Sequence, residues 1–243
     1  MLSNRYAVIV LALCGTLLAG CHKDDMRAVN AIADANPMDV TVDGTSSTIS
    51  SVAYGSYGTA SGIKDDTYTV ELSTGNDSVD VNIVVTPVTV AQKQLSTIYA
   101  IGRIADGSQA ALVVQQADTD VADAQTLLQL VDAQTQLIGA LDIYFTGLSD
   151  SLSGVAPLAT LTYPATPAAT TIRADSYRIR ITPSGDQGTI LFDSGASTGV
   201  SFASADSVQL ALLDNTDTTI DSKLRLLLLT RGGSLTTVQH VSP

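Results

Sequence analysis

The chain lacks tryptophan altogether and has two cysteines, two histidines and one glutamate, Glu71, among its 24 acidic residues. Aromatic residues make up 5% and charged residues 15% of its 243 positions. Each shortage excludes something. Two cysteines cannot build a disulfide scaffold. His22 and His240 are too few, and too far from any further Cys or His, for a usual zinc site. Few aromatic rings mean few platforms on which bases could stack. Twelve basic residues against 24 acidic ones give a net charge of −12, which repels phosphates and excludes nucleic acid as a partner. With 45% hydrophobic residues and little charge, the chain is not disordered. The near-absence of glutamate, a helix former, beside abundant aspartate, a turn and cap former, points away from helices.

Long apolar runs are also missing after the first twenty residues, so no later segment is long enough to span a bilayer as a helix. Those first residues read as an address. Arg5 supplies a positive start, Tyr6 to Leu18 an apolar stretch of signal-peptide length, and Leu18-Ala19-Gly20-Cys21 follows directly. This resembles a bacterial lipobox. The resemblance implies cleavage before Cys21 and acylation of its thiol and amine, palmitate being one such chain. Several acyl chains make a near-permanent membrane anchor. Cys14 would leave with residues 1–20, so no free thiol would remain. His22, rather than aspartate, after Cys21 favours the outer over the inner membrane.

The remaining chain repeats itself. Tyr54, Ala60, Ile63, Asp66 and Tyr68 recur 109 residues later as Tyr163, Ala169, Ile172, Asp175 and Tyr177. Upstream, Val29-Asn30-Ala31 matches Val131-Asp132-Ala133, and Met38-Asp39-Val40 matches Leu141-Asp142-Ile143. The expected organisation is a signal peptide over 1–20, a lipidated cysteine and tether over 21–26, a domain over 27–116, a linker over 117–128 and a second domain over 129–243.

Both copies read as short strands. Tyr68, Val70 and Leu72 alternate with polar residues, as do Val79, Val81, Ile83 and Val85, and then Tyr177, Ile179 and Ile181 against Arg178 and Arg180. Period-two alternation implies one buried and one wet face. Turn signals such as Thr74-Gly75-Asn76-Asp77 and Pro183-Ser184-Gly185-Asp186 separate the runs. The expected fold is all-β, two tandem antiparallel sandwiches of immunoglobulin-like type. The apolar run Leu224 to Leu229, a leucine, Arg225 and four more leucines, predicts a strand buried on both faces, at the contact between copies.

The segment Arg27-AVNAIADANPMDVTVDG-Gly44, with Val52-Ala53-Tyr54-Gly55 and Thr67-Tyr68-Thr69-Val70, resembles a family of bacterial secreted proteins and lipoproteins catalogued as domain of unknown function 4397. The second copy keeps Asp132 and Asp142 but has Pro164 in place of the glycine. The resemblance implies immunoglobulin-like or transthyretin-like sandwiches in tandem. It implies no reaction.

Few residues invite chemistry. Gly195-Ala196-Ser197-Thr198-Gly199 matches the serine-hydrolase elbow, but its flanks read as strands and a hairpin loop is expected. Asp118, Asp120 and Asp123, and Asp214, Asp217 and Asp221, cluster oxygens that a calcium ion could use, without the glycine and distal glutamate of an EF-hand. No other cofactor is expected. His240 reads as a solvated tail residue. Asp39, Tyr54 and Tyr68, with their counterparts Asp142, Tyr163 and Tyr177, read as structural positions of the repeat. The tyrosine hydroxyls would cap backbone, as in a tyrosine corner. The expected function is a non-enzymatic envelope lipoprotein, anchored through Cys21, whose sandwiches meet a protein or glycan partner. A carbohydrate- or solute-binding module using Tyr57, Tyr99 or Tyr144 is the alternative, and a hydrolase at Ser197 a third.

Overall fold

The computed structural model describes residues 24–241 apart from Gly44, Ser46, Ser47, Asp118 and Thr198. The segment 1–20, Cys21, His22 and the calcium candidate Asp118 therefore lie outside the described residues. Among those described, the only regular elements are strands.

Eight strands form the first half: β1 (Asp24–Asn30), β2 (Met38–Val42), β3 (Thr48–Val52), β4 (Tyr57–Ile63), β5 (Asp66–Gly75), β6 (Asp80–Val90), β7 (Gln94–Ile101) and β8 (Ala110–Ala117). They make two four-stranded sheets, β3-β2-β5-β6 and β4-β1-β7-β8. The second half comprises β9 (Gln125–Asp132), β10 (Leu141–Thr146), β11 (Ala159–Leu161), β12 (Thr170–Arg173), β13 (Ser176–Pro183), β14 (Phe192–Asp193), β15 (Val200–Ser201), β16 (Asp206–Asp214), β17 (Leu224–Thr230) and β18 (Leu235–Val238). Its sheets are β12-β9-β16-β17-β18 and β11-β10-β13-β14, with β15 also pairing β13.

The pairing scheme of the first half recurs in the second. The first strand of each half lies between its fourth strand, antiparallel, and a later strand, parallel: β1 against β4 and β7, β9 against β12 and β16. This order departs from the ABED and CFG sheets of an immunoglobulin constant domain, where the first strand neighbours the second. Asp39 faces Ser73 across β2 and β5, and Asp142 faces Thr182 across β10 and β13. Lys93 (φ 60°) and Ala205 (φ 57°) each sit in the left-handed region immediately before β7 and β16.

Four sheets enclose three apolar layers. Met26, Val40, Leu72 and Ile98 belong to the layer between the first two sheets. Leu130, Ile143, Ile181, Phe192 and Leu226 belong to the layer between the last two. The third layer, Val29, Tyr99, Val131, Ala211, Leu227 and Leu229, joins β1 and β7 to β9, β16 and β17. Neighbouring residues thus serve opposite layers: Ala28 and Val29, Leu130 and Val131, Leu226 and Leu227. The leucine run is buried on both faces because one face closes the second sandwich and the other closes this seam.

Several expectations are corrected. β1 begins at Asp24 and Met26 is fully buried, so half of the expected tether over 21–26 is strand. β9 begins at Gln125, which takes four residues from the expected linker over 117–128; Thr126 and Leu128 point inward and pull the chain into the sheet. Arg178 and Arg180 do not lie on a wet face. The segment 147–158 folds over them: Arg180 donates to Thr146 Oγ1 (2.5 Å) and the Asp150 carbonyl (2.8 Å), and is only 4% exposed.

Candidate functional site

Among the described residues the grooves are open and of similar size, about 400 to 500 Å³. The molecule's distinctive construction is the seam, closed at both ends by polar side chains from one half reaching backbone of the other. Arg27, on β1, donates to the carbonyls of Thr230 (2.7 Å) and Arg231, and its guanidinium lies 5.6 Å from the Tyr57 ring. The Tyr57 hydroxyl donates to the Gly233 carbonyl. At the other end Tyr54 donates to the Asp214 carbonyl (2.6 Å), and the Arg225 guanidinium lies 4.3 Å from the Tyr54 ring. Gly55 makes this approach possible, since a Cβ there would stand 1.8 Å from Arg225 Nη2. Burial pushes the Tyr54 and Tyr99 hydroxyls up, which keeps both as donors.

Between these ends runs a buried polar network. The Tyr99 hydroxyl donates to Gln209 Oε1 (2.7 Å), Gln209 Nε2 donates to Thr97 Oγ1 (3.1 Å), and Gln116 Nε2 donates to the Val208 carbonyl (3.3 Å). Such groups cost little while paired and about 1–3 kcal/mol each when orphaned. They therefore fix one register between the halves. Sequence reasoning missed this network because glutamine and threonine inside strands read as outward-facing. The signal lay in their context: Gln209 stands inside Val208-Gln209-Leu210-Ala211-Leu212-Leu213, too apolar for a half-wet strand.

β1 and β9 both run toward the same set of loops, 31–37, 53–56, 102–109, 133–140, 162–169 and 215–223. We call this end apical. It carries an open groove of about 500 Å³ lined by residues including Gln136, Ile190, Asn215, Asp217, Asp221 and Lys223. Beside it Ile138 is fully exposed.

The residues singled out from sequence fall in different places. Tyr99 and Tyr144 are buried and Tyr57 is spent on the seam, so none is an exposed sugar platform. The Tyr68 hydroxyl donates to the Lys64 carbonyl (3.0 Å) and the Tyr177 hydroxyl to the Arg173 carbonyl (3.0 Å), each four residues upstream. Tyr163 is half-buried in the apical loop 162–169. Asp39 Oδ1 accepts from the Ser51 N–H (2.7 Å), holding a bulge where Ser51 takes φ 60°. Asp142 accepts from Thr160 Oγ1 (2.6 Å) and the Gly185 N–H (2.9 Å). Asp214 is fully buried and accepts from the Thr135 N–H (2.7 Å), Thr135 Oγ1 (2.6 Å) and the Gln136 N–H (3.1 Å). Asp217 accepts from Thr219, while Asp120, Asp123 and Asp221 are exposed. Among the described residues no three His, Cys, Asp or Glu side chains converge as a metal site.

Ser197 is exposed in a loop between β14 and β15. The chain enters no helix after it, so the strained strand-to-helix turn of a nucleophile elbow is not formed. The strand before Ser197 is short, Phe192–Asp193. His240 is not a free tail residue. Its Nδ1 accepts from the Asp193 N–H (3.0 Å) and its ring lies 6.0 Å from that of Phe192.

The family model described as a domain of unknown function, DUF4397, matches residues 25–144. This part of the chain is a DUF4397 domain. The match spans the first sandwich from the second residue of β1 and continues through most of β10. No curated protein matches by sequence. Among solved structures, the family 26 carbohydrate-binding module CBMbc from Eubacterium rectale Amy13K, crystallised with maltoheptaose, aligns over 91% of this chain and 98% of its own, at 10% identity and a TM-score of 0.27.

The DUF4397 motif residues have definable tasks. Arg27 clamps the seam. Asn30 folds the loop that follows β1, its Nδ2 donating to the Val52 carbonyl (3.0 Å) and its Oδ1 accepting from the Ile32 N–H (3.1 Å). Asp34 accepts from the Ile104 and Ala105 N–H groups (2.9 Å each), tying two apical loops together. These tasks are architectural: the motif builds the frame.

Proposed function

We propose that the protein is a non-enzymatic, lipid-anchored envelope module, most consistent with the outer membrane, in which two DUF4397-type sandwiches form one stiff body. Its parts are a lipidated Cys21, a first sandwich over 24–117 and a second from 125 onward. The body presents its apical loops to an envelope protein or glycan. The carrying observation is the seam: with a polar network inside and a clamp at either end, the two halves hold one relative orientation. β1 starts three residues after Cys21 at the end opposite the apical loops. Acylation at Cys21 would leave those loops, and the groove lined by Asp217 and Asp221, farthest from the bilayer.

Metabolic labelling with radioactive palmitate, followed by detergent phase partition and crosslinked capture from the native envelope, tests this reading. The full chain is expected to incorporate label and enter the detergent phase. Cys21→Ser is expected to do neither, yet to capture the same partner from solution. Label or detergent partition persisting in Cys21→Ser contradicts the anchor, and capture of nothing by either form contradicts the display role.

A further inference from the structure

The repeat supplies an internal comparison at one buried position. Asn30 and Asp132 end β1 and β9 and make the same backbone bonds. The Gly55 N–H donates to the Asn30 carbonyl and the Ala165 N–H to that of Asp132, while the Ala31 N–H donates to Ala100 and the Ala133 N–H to Leu212. Both side chains are fully buried. Their chemistry differs. The Asn30 carboxamide donates through Nδ2 to the carbonyls of Val52 (3.0 Å) and Asn36 (3.4 Å). Val52 faces Met38 across β2 and β3, as Leu161 faces Leu141 across β10 and β11. By this register Leu161 is the counterpart of Val52. A carboxylate in the place of the Asn30 carboxamide has nothing to donate, and neither oxygen of Asp132 has a hydrogen bond of good geometry, although the N–H groups of Gln134 lie nearby.

We propose that Asp132 is a built-in acid switch: in the folded protein its protonated form, a neutral carboxylic acid, stands in for the Asn30 carboxamide, and its ionisation loosens the apical end of the second sandwich. The surroundings favour the neutral form. Burial, and then the charge of Asp214 at the end of β16, push the group up to about 6, against an opposing pull from the backbone and side-chain N–H groups of Gln134. The other titratable groups around it are Tyr163, from the loop after β11, Tyr54, which reaches Asp214 across the seam, and Arg225, on β17 beside Asp214. Asp132 also pins the apical loops, since its N–H donates to the Ala165 carbonyl (2.7 Å) and the groove residues Gln136 and Leu137 follow shortly after it.

The sign follows from linkage. A carboxyl raised on folding binds more protons in the native state, so stability falls as pH rises from about 4 through about 6 and levels out above that, once the native group has ionised. Thermal unfolding of the full chain in detergent micelles at pH 5 and pH 7.5 reads this directly. The wild type is expected to melt several degrees lower at pH 7.5 than at pH 5. Asp132→Asn is expected to melt higher than wild type at pH 7.5 and to lose most of the difference between the two conditions. Asn30→Asp, the reciprocal exchange, should deepen that difference. A titration of the Asp132 carboxyl carbon by NMR in the wild type should give a midpoint near 6. A midpoint in the ordinary carboxylate range, or Asp132→Asn melting at or below wild type at pH 7.5, overturns the proposal.

Discussion

Asp193→Ala is expected to cost about 3–5 kcal/mol of stability, the range for removing one partner of a buried ion pair. The carboxylate is 2% exposed and is gripped on one side by Arg178, through Nε (2.9 Å) and Nη2 (2.6 Å), and on the other by the Gly195 N–H (2.9 Å). Truncation strands the guanidinium under the segment 147–158, whose Leu148 carbonyl is its remaining contact at 3.5 Å. Urea unfolding of the full chain measures the loss; a change below about 1 kcal/mol would show that solvent enters and replaces the pair. The same group sets an acid limit. Burial pushes Asp193 up, but the hydrogen bonds from Arg178 and Gly195 and the charge of Arg178 outweigh it and hold it below its ordinary value. A carboxyl lowered on folding stabilises the native state above the unfolded value, about 3.9, and that contribution disappears as pH falls through the folded value. Asp193 therefore acts in the opposite direction to Asp132, and stability should peak near pH 4–5.

Adjacent leucines on β17 should fail in different ways. Leu226→Asp places a charge inside the second sandwich, where Leu226 is fully buried among Leu130, Phe192 and Leu210, and is expected to unfold that half. Leu227→Asp places the same charge in the seam, against Val131 and Ala211. Burying an unpaired carboxylate costs several kcal/mol, but here the chain has a cheaper escape, because the halves can part and let water in. The expected product keeps its β content, has a larger radius of gyration and unfolds in two steps. Circular dichroism with small-angle scattering separates the two variants; the same loss of β signal in both would show that the seam is inseparable from the core.

These contrasts show how much could be read in advance. Period-two alternation revealed the strands, and the 109-residue spacing of Tyr68 and Tyr177 reflects a shared local bond, each hydroxyl reaching back four residues. The leucine run disclosed its two-faced burial because no polar residue but Arg225 interrupts it. What escaped depends on long-range geometry. Whether Arg180 is wet is decided by a segment some thirty residues earlier that folds over it. Whether Arg27 and Tyr57 face solvent is decided by the turn after β17, roughly two hundred residues away. Alternation records that a side chain points away from its own core, and says nothing of a second sheet waiting on the other side.

Scanning calorimetry of the full chain in detergent is the most direct test of the seam on which this account rests. A single transition, with calorimetric and van't Hoff enthalpies in agreement, is expected if the buried network makes the two sandwiches one cooperative unit. Two separable transitions in the wild type would contradict it and reduce the seam to a contact between independent domains.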